Sequence, residues 1–355
     1  MTSDKGILIQ NIYYMLAYAF QALRQENYAQ VAAEKFENVQ DLFAAILAKG
    51  ISQQLKQGLY REYVSRRDAL PVLRGKLDVS GTIRQQIRQR RLLSCEYDEL
   101  SEDNIFNQIL KTTAMLLIRE KTVAAEQKQQ LKRALLFFDG VQTLDPSAIR
   151  WNLLKPRRCN RSYEMLLNVC RLVLEGMLQT TEDGRYRMAA FSDAHMERLY
   201  ERFILEYYRR HHPYLKPSAA QVKWDLDGET DPAAIRFLPT MQTDITLRSG
   251  DQTLIIDAKY YGRTMQSHHG SHSVHSAHLY QIFTYVKNQE AAQSGPVSGM
   301  LLYAKTEESL VPDFTYGISG HRIGAKTLDL NKPFPLIAKQ LDDIARSHFP
   351  EAYQG

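Results

Sequence analysis

Residues 241–261 read MQTDITLRSGDQTLIIDAKYY, and the way this stretch pairs with itself decides the fold of the C-terminal half. Thr-Leu-Ile-Ile and the closing tyrosines favour a buried strand, yet Asp257 and Lys259 stand among them. Between the two apolar runs, Gly250-Asp251 suits a two-residue primed turn. With those residues as the loop, Ser249 pairs with Gln252, and the register continues outward until Asp244 faces Asp257 and Gln242 faces Lys259. Alternation then puts Asp244, Asp257 and Lys259 on one face and gives the other to Ile245, Leu247, Leu254, Ile256 and Ala258, a core surface.

Carboxylates opposed across a strand pair, with Cβ atoms about 5 Å apart, repel each other unless a positive charge lies between them. A divalent cation answers that need. Mg²⁺ takes one or two carboxylates and keeps several waters, so Asp244 and Asp257 suffice to hold it, with Mn²⁺ as a substitute. Lys259 on the same face would then orient the attacking water or steady charge on a phosphate, which makes phosphodiester hydrolysis the natural reaction class. On these three residues alone a second reading stays open, in which the acids pair with Lys259 or with Arg248 on a solvent face.

The following helix, HSAHLYQIFTYVKNQ, puts Gln281 and Tyr285 four residues apart on one side. QxxxY after D…DxK resembles the motif of RecB-type nucleases, a branch of the PD-(D/E)xK superfamily. That resemblance implies that Gln281 and Tyr285 support the site and that a glutamate from the preceding helix completes it. The segment 193–212 offers Glu197, Glu201 and Glu206, and Glu201, in LYERF, is the choice. Five of ten histidines, His268, His269, His272, His275 and His278, crowd one segment. Their spacing suits a borderline metal or a DNA contact, but the glycine and serines among them point to a mobile loop. The runs RQQIRQRR (84–91) and Arg157, Arg158 and Arg161 fit phosphates, an acidic partner or a solvated face equally well.

Outside this region, 355 residues allow about two domains at roughly 150 residues each. A balance of 45 basic against 40 acidic residues, net +5, tilts only slightly towards a polyanionic partner. The N-terminus carries no secretory pattern, and no apolar run is long enough to cross a membrane, so the expected location is the cytoplasm. Three isolated cysteines, Cys95, Cys159 and Cys170, form no CxxC and read as buried small residues. Periodicity predicts helices over 7–23, 41–59, 103–120 with Asp103 as cap, 162–178, and 193–212 with Asp193 as cap, with short strand-like pieces over 60–98. A loop near 185 divides the chain into 1–185 and 186–355.

IQNIYYMLAYAF, LRGKLDVSGTI, CEYDELSEDNIFNQILKTT, MQTDITLRS, IIDAKYY and LYQIFTY together resemble McrC, the nuclease subunit of McrBC-type restriction systems. The resemblance runs over nearly the whole chain. It implies an α+β N-terminal domain (1–185) that engages and stimulates a hexameric AAA+ GTPase, McrB, followed by an α/β PD-(D/E)xK endonuclease domain (186–355). Asp244, Asp257 and Lys259 match the catalytic positions, and the substrate is double-stranded DNA carrying methylated cytosine. The chain has no GxxxxGK[ST] loop, so a nucleotide-driven motor would be another protein. The proline that names the superfamily does not adjoin Asp244, Pro239 being the nearest before it. The competing reading is a non-catalytic activator of an AAA+ motor that keeps a nuclease-like domain for holding DNA; a plain DNA-binding protein ranks last.

Overall fold

The computed structural model describes residues 3–4, 7–20, 36–154, 162–178, 193–228, 230–260, 265–268, 271–305 and 312–353. Two compact units emerge, one joining Met1–Leu42 to Ala189–Gly355 and the other comprising Phe43–Met188. The division near 185 expected from the sequence has its counterpart at 188/189, and the first 42 residues group with the C-terminal unit.

The cause lies in the first helix. A short hairpin of β1 (Ser3–Asp4) and β2 (Ile7–Leu8) leads into α1 (Ile9–Ala19). Ile9, Ile12, Tyr13, Leu16 and Ala17 are all buried, so α1 is apolar round its circumference and needs cover on every side. The C-terminal residues provide it: Tyr14 stacks on Phe334 at 4.2 Å between ring centroids, and Tyr18 meets the Phe203 ring at 5.7 Å and His211 Nε2 at 2.8 Å. Asn11, also buried, donates from Nδ2 to the Leu330 and Lys332 carbonyls at 2.7 and 2.8 Å.

The second unit holds most of α2 (Val39–Gln57), then β3 (Glu62–Leu70), β4 (Lys76–Leu77), α3 (Val79–Ile87) and β5 (Leu93–Ser101), with the strands ordered β3-β5-β4 and antiparallel. Residues 84–87 of the basic run are thus helical. Next come α4 (Ile105–Arg119), α5 (Ala125–Leu135) and α6 (Ser162–Leu178). Asn104 caps α4 by accepting from the Asn107 N–H, in place of the expected Asp103. Asp103 Oδ1 instead accepts from Gln108 Nε2 and the Gln142 N–H, at 2.8 and 2.9 Å. Cys95 and Cys170 are buried free thiols; Cys159, Arg157, Arg158 and Arg161 lie outside the described residues.

The first unit resumes with α7 (Asp193–His211), β6 (Gln221–Val222), α8 (Pro232–Ile235), β7 (Met241–Gln242), β8 (Ile245–Ser249), β9 (Gln252–Lys259), β10 (Met265–His268), β11 (Ser271–Val274), α9 (Ser276–Ala291), β12 (Val297–Ala304), β13 (Phe314–Ile318), β14 (His321–Leu328) and α10 (Phe334–His348). The side chain of Asp193, the proposed cap, is not among those described. A five-stranded mixed sheet runs β13-β14-β12-β9-β8, with β9, β12 and β14 parallel and β8 and β13 antiparallel edges. The crossover from β9 to β12 carries α9 onto the sheet, where Ile282, Tyr285 and Val286 pack on Ile255, Leu301 and Ile323. Gly299 makes this approach possible, because a Cβ there would lie 2.7 Å from Ile282 Cγ1.

That crossover leaves β9 no solvent face, against the alternative in which its acid pairs with a base at the surface. Thr253, Ile255, Asp257 and Lys259 are buried like Leu254, Ile256 and Ala258 on the other side, as befits a strand covered on both faces. Among the described residues no helix is long and apolar enough to cross a membrane.

Candidate active site

The hairpin forms in the register expected from its turn: Ser249 pairs with Gln252, Leu247 with Leu254 and Ile245 with Ile256, and Gly250 takes positive φ (56°). The ladder stops there. Asp244 bends out of the strand, and its Oδ2 accepts from the Ala258 N–H at 2.8 Å, which fixes the carboxylate beside Asp257. Gln242 does not reach Lys259; it pairs with Gln221 in the small β6–β7 ladder. The chain turns away at Thr243, whose N–H donates to the Ala220 carbonyl at 2.9 Å and whose hydroxyl shares a 2.9 Å bond with that of Thr246.

Lys259 Nζ lies 2.9 Å from Asp257 Oδ2, an ion pair with no aligned hydrogen bond to that buried oxygen. Burial, then Asp257 and Glu201, pushes the Asp244 carboxyl up to about 8, with Lys259 and the Ala258 N–H acting the other way. Asp257 is likewise raised, by burial against the opposing pull of Lys259. Burial favours a neutral Lys259 amine, but Asp257, Asp244 and Glu197 outweigh it and the ammonium is held above its ordinary value. One lysine therefore cannot neutralise the acids it serves.

From α7, Glu201 joins them: burial, Glu197 and Asp257 raise its carboxyl to about 7 in spite of Lys259. Glu197, one turn earlier and not chosen from the sequence, also acts on Asp257 and Lys259. Glu206 serves elsewhere, paired with Arg209 at 2.6 Å. Gln281 Nε2 donates to the Tyr285 hydroxyl at 3.0 Å, and the Tyr285 phenol is raised by burial and, among charges, by Asp257 and Asp244, so the QxxxY face of α9 closes the same site.

The histidine-rich segment departs from the expected loop. Met265–His268 and Ser271–Val274 form an antiparallel ladder, β10 on β11, while His269 and the side chains of His268 and His272 lie outside what is described. His278 belongs to α9, buried, with Nδ1 3.0 Å from the Tyr303 hydroxyl. It follows the stripe His278, Gln281, Tyr285 at i, i+3, i+7, a helical spacing visible in the sequence but masked there by the neighbouring histidines. Among the described residues no three His, Cys, Asp or Glu side chains surround one point. The donors on offer are two carboxylates with the rest of a coordination sphere left to water and phosphate, which fits Mg²⁺ better than a metal needing a full protein cage.

A mixed α/β sheet that sets the buried Asp257–Lys259 pair beside the half-buried Asp244, with the half-buried Glu197 and Glu201 of α7 acting on them, defines a protein with an acidic site. The profile of the family described as McrBC 5-methylcytosine restriction system component matches residues 4–304, and the chain belongs to this family. It is similar to the type IV methyl-directed restriction enzyme EcoKMcrBC of Escherichia coli (strain K12), 28% identical over 340 residues that span 95% of this chain and 97% of the relative. The resemblance to McrC thus holds across the molecule. Among solved structures, the half-complex from a tetradecameric assembly of Thermococcus gammatolerans McrB AAA+ hexamers with bound McrC shares the fold: TM-score 0.52 at 21% identity, over 95% of this chain and 76% of the other. The T. gammatolerans McrBC complex aligns over 57% of this chain and 58% of the other, at 23% identity and a TM-score of 0.40.

Proposed function

We propose that the chain is the Mg²⁺-dependent DNA endonuclease subunit of a methylcytosine-directed, type IV restriction complex, built on a PD-(D/E)xK nuclease domain. The observation that carries this reading is the buried Asp257–Lys259 pair with Asp244 pinned opposite it by the Ala258 N–H. Carboxylates so placed repel, and a bound cation relieves them. Bound between Asp244 and Asp257, Mg²⁺ would supply a Lewis acid for the phosphate and its attacking water.

The chain's own groups do the rest. Lys259, charged and held at 2.9 Å by Asp257, steadies the negative charge that builds on the phosphate oxygens as the bond breaks. Glu201, whose carboxyl lies near 7, is suited to exchange a proton with the attacking water at neutral pH. Gln281 and Tyr285 wall the site on the α9 side. An AAA+ GTPase hexamer of the McrB kind is the proposed partner, engaged by the unit Phe43–Met188 and stimulated by it, with cytosine-methylated duplex DNA as substrate.

The test compares wild type with Asp244→Ala, each mixed with the partner GTPase, GTP, Mg²⁺ and methylated plasmid. Cleavage by wild type alone, with GTP hydrolysis stimulated by both, is the expected result. If neither protein cuts while both stimulate the GTPase, the chain is an activator and the nuclease assignment falls.

A further inference from the structure

We infer that Tyr303 and His278 form an uncharged positioning pair that holds the Lys259 ammonium where the phosphate will sit, an inference that rests on the nuclease reading of this site. Lysine brings four rotatable bonds and loses much rotamer freedom when held in one place, so an ammonium that must meet a phosphate needs restraint. Asp257 gives one restraint, at 2.9 Å. That grip loosens once Asp257 shares its charge with a cation, and a second restraint must then come from groups that the cation does not recruit.

The sheet provides them. Parallel pairing sets Tyr303 of β12 directly beside Lys259 of β9, on the same face, with Leu301 beside Asp257. Tyr303 is completely buried. Its hydroxyl is fixed in turn by His278 Nδ1, 3.0 Å away, from the first turn of α9. The histidine stays neutral: burial, the nearby Lys259 charge and His275 lower it to about 4. A charged histidine here would repel both the ammonium and a metal, whereas a neutral one locks the tyrosine without adding charge. His278, Gln281 and Tyr285 thus form one stripe of α9, the first positioning the lysine through Tyr303 and the other two closing the site over the acids.

The experiment uses the full chain with its partner GTPase, GTP, Mg²⁺ and methylated plasmid under single-turnover conditions. Tyr303→Phe and His278→Ala should lower the cleavage rate 10- to 100-fold while leaving KM for DNA within twofold, and His278→Asn, which keeps a polar atom near Nδ1, should recover most of the loss. In a Lys259→Ala background, Tyr303→Phe should cost nothing further. A second readout needs no activity: the ¹⁵N ammonium signal of Lys259, shielded from exchange in wild type, should vanish in Tyr303→Phe while the melting profile holds. Additive losses, a change confined to KM, or an unchanged ammonium signal would overturn the inference. A wild type that fails to cut refutes the nuclease reading alone, since the ammonium signal still decides whether Tyr303 holds Lys259.

Discussion

The β3–β5 sheet and the β9 strand both put acids next to bases, in opposite settings. On the first, Arg67 and Glu96 meet at 3.0 Å with side chains 74% and 35% exposed, and Arg66 and Arg74 flank Glu99 at 3.7 and 3.3 Å in similar exposure. On β9, Lys259 and Asp257 meet at 2.9 Å with side chains 10% and 2% exposed, and the same lysine is the base that also acts on the half-buried Asp244 beside them. Nearly equal distances therefore carry very different meanings. An exposed pair exchanges water for a partner at little gain, whereas burying an excess of negative charge costs several kcal/mol per ion and persists where a ligand restores the balance.

That contrast is sharpest for Asp257. Replacing it with Asn should lower cleavage on the order of 10³-fold or more while the chain stays folded, measured on methylated plasmid with the partner GTPase. Undiminished cutting would place the two sheets on the same footing. Next in size is a pH effect. The Asp244 carboxyl sits at about 8 in the metal-free fold and near 4 when unfolded, so the folded state binds the extra proton between those limits. Stability is therefore full at low pH and lost as pH climbs from about 4 to about 8, and cation binding must expel that proton. Calorimetric titration with Mn²⁺ should accordingly show affinity rising about tenfold per pH unit below 8, with proton release, and levelling above it.

Removing the charge should reveal the same burden directly. Above pH 8, where the Asp244 carboxyl is ionised, Asp244→Asn should raise the metal-free melting temperature by about 2–4 °C for each kcal/mol of relieved repulsion and abolish the gain that wild type draws from Mg²⁺. A variant that melts below wild type would mean that the acids are not in conflict. The smallest effect belongs to the other sheet: Arg67→Ala should change stability by less than about 1 kcal/mol in denaturant unfolding and leave cleavage untouched.

The hairpin was legible because its register is local: Gly250-Asp251 fixes the turn, and alternation does the rest. Gln242 escaped the same logic because the ladder ends at Ile245, through contacts of Thr243 with Ala220 and Thr246 that no short-range pattern announces. Gln281, Tyr285 and Glu201 could be found from helical spacing and the family resemblance, whereas Tyr303 lies on a strand whose neighbour is set only by the parallel crossover. Asn104 and Asp103 differ by one residue and are both good caps, so only the hydrogen bonds separate them. For α1, all-round apolarity announced burial but not where, since the carbonyl that Asn11 meets lies 319 residues along the chain.

That last contact has a consequence for how the molecule is made. A ribosome delivers Asn11 early and Leu330 late, and a chain emerging at about 5–20 residues per second needs tens of seconds between them. Until then α1 has neither Leu330 nor the Phe334 ring to cover it. The unit whose strands and helix carry the acids is therefore completed only near the end of synthesis.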